Sequence, residues 1–88
     1  MRPTNVRLIV RTAAGDALTV NLMRPELDSL TDALGDLFSR TDCDSCVADV
    51  RVEFNGPGGQ ASIACPDPTQ PPESIAAYLW EELAPADS

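Results

Sequence analysis

Lysine and histidine are both absent from this 88-residue chain. Without histidine there is no Ser-His or Cys-His nucleophile pair and no imidazole metal ligand. Without lysine there is neither a Schiff-base amine nor a phosphate-loop ammonium. Aromatic residues are scarce, at two Phe, one Tyr and one Trp, so few large side chains are on hand to fill a core. No apolar run approaches the roughly 20 residues that span a bilayer. Near the N-terminus, Arg7 and Arg11 bracket the short run Leu8 to Val10. That pattern does not match a secretory signal, and the expected location is cytoplasmic.

Positive charge is also in short supply. Six arginines stand against 14 acidic residues, for a net charge of -8. This balance argues against binding nucleic acid by phosphate neutralisation and against an anionic membrane surface. It suits a partner protein that carries basic groups. A chain this short buries only about 60–65% of its unfolded surface, which leaves little room for an enclosed active site. One domain, residues 1–88, is the expectation.

What is present reads as one unit written twice. Val6, Leu8 and Val10 alternate with Arg7, Ile9 and Arg11, the pattern of a half-buried strand. Gly15-Asp16 marks a turn, and Leu18, Val20 and Leu22 alternate again. Pro25-Glu26 then opens a helix on Leu27, Leu30, Leu34, Leu37 and Phe38, with the proline placed in the first turn. The second half repeats this order. Val50 to Phe54 is a strand, Asn55 to Gly59 a hairpin turn, and Ala61, Ile63 and Cys65 the inward set of a fourth strand. Pro72-Glu73 opens a second helix on Ile75, Ala76, Leu79, Trp80 and Leu83.

Val6-Arg7 matches Val50-Arg51, Gly15 matches Gly59, Ala17 matches Ala61, and Pro25-Glu26 matches Pro72-Glu73. The expected fold is therefore α+β. It is a two-layer sandwich of a four-stranded antiparallel sheet with two helices on one face, built from duplicated ββα units (ββαββα) at roughly 5–40 and 47–84. Residues 66–72 form a stiff connector, and the ends, 1–5 and 84–88, are expected to fray.

Four constellations are candidates for function. The first is thiols: Cys43 and Cys46 form a C-x-x-C and Cys65 follows, but three thiols fall short of the usual four zinc ligands. Nor does the pair stand at a helix N-terminus or beside a cation that would activate it. No metal and no cofactor are expected. The second is an acidic ridge, since Asp28, Asp32 and Asp36 recur every four residues along one side of the first helix. It offers a docking line for basic groups. The third is the sheet face turned away from the helices, where alternation places Arg7, an exposed Ile9, Arg11 and Arg51 beside Asp49 and Glu53. Arginine's planar fork favours interfaces. The fourth is Tyr78, on the flank of the second helix opposite Trp80, as an interface anchor. The Gly56-Pro57-Gly58-Gly59 run joins two strands rather than opening a helix, so it is a turn and not a phosphate cradle.

These residues point to a small acidic non-catalytic interaction module, binding or inhibitory, that works by surface complementarity. Its partner would be another protein with a basic surface, or a second copy docked through the open sheet face. Two alternatives stand beside it. One is a phage-type inhibitor imitating nucleic-acid charge to block a basic protein. The other is a small metal- or thiol-binding structural protein using Cys43, Cys46 and Cys65.

Overall fold

Alternation of inward apolar and mostly polar outward residues makes the strands, and apolar residues at helical spacing make the helices. The computed structural model describes residues 4–41, 47–56 and 58–86. Along the chain run β1 (Asn5–Thr12), β2 (Ala17–Met23), α1 (Leu27–Ser39), β3 (Val47–Gly56), β4 (Gly59–Ala64) and α2 (Pro72–Ala86). The four strands form one antiparallel sheet in the order β2-β1-β3-β4, so the fold is α+β.

Register fixes which side chains share a face. Val10, Leu8 and Val6 of β1 lie opposite Val50, Val52 and Phe54 of β3. On the other side of β1 they lie opposite Leu18, Val20 and Leu22. These residues meet Leu30, Leu34 and Leu37 of α1 and Ile75, Ala76, Leu79 and Leu83 of α2 in one apolar cluster. Burial of these branched chains is the main driving force of the fold, at roughly 1.5–3 kcal/mol for each fully buried Val, Leu or Ile.

The entry to α1 differs from the sequence expectation. Pro25 lies ahead of the helix rather than in its first turn, and Glu26 is the cap. The Ser29 hydroxyl accepts from the Glu26 N–H at 2.7 Å and donates to the Glu26 carbonyl at 3.0 Å. One otherwise orphaned donor is thereby satisfied. Pro25 is buried, as is Leu30. These are the two positions of a hydrophobic staple, which sets the angle at which the chain enters the helix.

Three further expectations change. β3 begins at Val47, earlier than the alternation of Val50 to Phe54 indicated. A bulge between Arg11 and Thr12 sets Thr12 opposite Val47, leaving Val47 buried and Ala48 exposed. Alternation breaks at a bulge, which is why the sequence hid this segment. Asn5 does not fray, because it pairs with Met23, and α2 continues through Ala86 rather than ending near Leu83.

The matched pairs of the two halves also divide. Val6-Arg7 and Val50-Arg51 hold equivalent places about the β1–β3 seam. Ala17, however, lies opposite the outward Arg11, whereas Ala61 lies opposite the inward Phe54. The reason is hairpin length. Gly56 pairs directly with Gly59, while the first hairpin closes through Thr12 and Asp16 around Gly15. Gly15 and Gly59 both have positive φ (96° and 115°), a conformation that glycine takes without a Cβ penalty.

Candidate functional site

The sheet face away from the apolar cluster is built from the odd-numbered residues of β1, β2 and β3. One row runs Asn21, Arg7, Glu53, Ser62, and the next runs Thr19, Ile9, Arg51, Ala64. A third places Ala17, Arg11 and Asp49 in line. Arg7, Arg11 and Arg51 thus share a single face, as alternation required, and the face holds three cations against two carboxylates. Arg7 Nε donates to Asn21 Oδ1 at 3.4 Å, and Arg51 Nε pairs with Asp49 Oδ2 at 2.9 Å. Arg7 and Arg11 are exposed, while Arg51 and Asp49 are half-buried.

Ile9 corrects the sequence reading. It points outward but is only 6% exposed, and it stands apart from the main cluster. β1 is a central strand, so Ile9 has neighbours on both sides, Thr19 and Arg51, with Arg7 and Arg11 along the strand. Long side chains at such positions can lay their aliphatic stems over an apolar neighbour while their charged ends stay in water. Ile9 is a small second packing centre on this face, not an exposed apolar contact.

At one end of the face, Asn5, Asn21, Asn55 and Gln60 join Arg7, Glu53 and Met23 around a shallow depression of about 380 Å³. Alternation already puts Asn21 outward on the second strand, whereas Asn5, Asn55 and Gln60 carry no motif that marks them as site residues. Only register brings them together. Among the described residues Met23, at 81% exposure, is the most uncovered large apolar side chain, followed by Leu27 at 39%.

The acidic ridge is distributed differently. Asp28, Asp32 and Asp36 are all exposed on α1, away from Leu30, Leu34 and Leu37. Arg40 pairs with Asp36 at 2.9 Å, one helical turn on, which neutralises that end of the ridge. Tyr78 is not a free flank: it is half-buried against the apolar cluster, as is Trp80. With so few aromatics the core takes both. Cys65 is buried just past β4, where its N–H continues the ladder to the Val50 carbonyl at 2.8 Å. Its thiol donates to the Asp67 carbonyl at 3.4 Å. Cys43 and Cys46 lie outside the described residues. Among the described residues no three Cys, Asp or Glu side chains gather closely enough to hold a metal ion. Among them, too, no helix is long and apolar enough to cross a membrane.

Comparison with family models, with curated proteins and with solved structures gives no match.

Proposed function

We propose that this chain is a small non-catalytic protein-interaction module of the cytoplasm that binds its partner through the helix-free sheet face. The observation that carries the reading is the convergence of Arg7, Arg11 and Arg51 on one face around the shielded Ile9. Two of the three guanidinium groups are exposed. They offer bidentate donors to carboxylates or carbonyls, and Asp49 and Glu53 offer acceptors to basic groups. A mixed face of this kind favours specificity of docking over raw charge attraction. The ridge on α1 is the weaker surface for a charge-mimic inhibitor, because Arg40 already occupies Asp36.

The finer architecture belongs to the same proposal. We read the molecule as a two-layer sandwich of duplicated ββα units. The equivalence of Val6-Arg7 and Val50-Arg51 about the central seam supports it, and a one-residue difference in hairpin length accounts for the displaced Ala17 and Ala61.

Capture from a host lysate with three baits tests the binding surface. The native chain and Asp28→Asn/Asp32→Asn/Asp36→Asn should retain the same protein, and Arg7→Glu/Arg51→Glu should lose it. Retention by the arginine variant with loss from the aspartate variant moves the site to α1 and overturns the reading. Failure of the native chain to enrich any protein also overturns it.

A further inference from the structure

The open edge of β2 carries an inference that is independent of the arginine face. The sheet order leaves β2 and β4 as edges. Soluble proteins blunt such edges with charge, proline, bulges or shortness, because unpaired backbone groups recruit another strand. β4 is six residues long, opens at Gly59 and is followed by Pro66 and Pro68. Among the described residues β2 has no such protection. Its seven residues, Ala17 to Met23, contain no charge, proline or glycine, in a chain of net charge -8. Its inward residues, Leu18, Val20 and Leu22, remain only half-buried at the border of the apolar cluster.

Backbone parity shows what could pair there. The Arg24 N–H donates to the Thr4 carbonyl and the Thr12 N–H to the Asp16 carbonyl. Hydrogen-bonded pairs alternate along an antiparallel ladder. In the observed register, Leu18, Val20 and Leu22 therefore turn their N–H and C=O groups toward β1. Those of Ala17, Thr19, Asn21 and Met23 point to the open edge.

We propose that β2 pairs with β2 of a second copy about a two-fold axis, with Val20 opposite Val20 of that copy. In this register Thr19 bonds Asn21 and Ala17 bonds Met23, so all four edge-directed residues find partners of the right parity. Leu18 lies opposite Leu22 on the helix side, which carries the apolar layer across the junction, and Met23 gains cover from Ala17. Just beyond the strand, Asp16 of each copy comes opposite Arg24 of the other, so both ends match in charge. A slip of one residue sets inward side chains against outward ones. A slip to the next register of correct parity sets Arg24 against Leu18, or Asp16 against Leu22. The register with Val20 opposite Val20 is the one that satisfies backbone, apolar layer and charge together. It leaves Arg7, Arg11 and Arg51 open on both copies.

Sedimentation equilibrium of the full chain should show a reversible monomer–dimer equilibrium. Amide exchange at Thr19 and Asn21 should slow as concentration rises, while exchange at Gln60 and Ser62 on the β4 edge should not change. Thr19→Pro removes an edge-directed N–H without touching the β1 ladder and should give a folded monomer, checked by circular dichroism. Asp16→Arg should weaken association roughly fivefold, since two exposed contacts are reversed, and Asp16→Arg/Arg24→Asp should restore it. A chain that stays monomeric at millimolar concentration overturns the proposal, as does concentration-dependent protection at the β4 edge instead. So does a dimer that survives Thr19→Pro but is lost in Arg7→Glu/Arg51→Glu, which would place the contact on the sheet face.

Discussion

Ile9 and Arg51 stand directly opposite each other on the central strands of the sheet, on the face turned away from the apolar cluster. Ile9 is nevertheless buried, and Arg51 is held at Asp49. An arginine over an isoleucine stabilises through its methylene stem as much as through its charge. Arg51→Ala should therefore cost about 1 kcal/mol in urea denaturation, above the ±0.5 kcal/mol common for surface changes. Arg51→Met, which keeps the stem, should cost clearly less. Equal losses in the two variants would assign the effect to the Asp49 ion pair.

The glycines separate backbone cost from space. Gly35 lies inside α1, and a Cβ there would meet nothing within 4 Å. Gly35→Ala should raise stability by about 0.5–1 kcal/mol through helix propensity. Gly59 has equally open surroundings but φ at +115°. Gly59→Ala should lower stability by at least about 1 kcal/mol from backbone strain alone. Thermal midpoints moving in opposite directions would bear this out.

Removing the Ser29 hydroxyl leaves the Glu26 N–H without its 2.7 Å partner at the start of α1. Ser29→Ala should cost about 0.5–2 kcal/mol, the range of helix-capping losses. Exchange of the Glu26 amide should quicken more than that of amides near Leu34.

Asp67 supplies a local acid-pH signature. The Thr69 hydroxyl, and then the Thr69 backbone N–H, hold its carboxyl below the ordinary value of 3.8. A folded-state pKa below the unfolded one contributes stability above the unfolded value, and this is lost as pH falls through the folded value. The window therefore lies below about pH 3.8. Thr69→Val should move the Asp67 midpoint upward, toward 3.8, in a carboxyl NMR titration.

Alternation and helix spacing are local properties, and they carried most of the fold. Val6, Leu8 and Val10, then Leu30, Leu34 and Leu37, were legible as core because a strand or helix exposes its period in the chain itself. The bulge that buries Val47 was not legible, because it interrupts the period that would have revealed it. Tyr78 looked like a flank residue on a wheel, but a wheel does not show how far neighbouring elements wrap around a helix.

Sequence alone determined the charge, the apolar faces and the common outward direction of Arg7, Arg11 and Arg51, since side-chain direction in a strand follows from residue parity. Tertiary structure decided the rest: that β1 is central, so Ile9 is sheltered; that β2 is an edge, so its backbone is open; and that Arg40 meets Asp36. Strand order and rotamer choice arise from contacts between distant segments, and no local period encodes them.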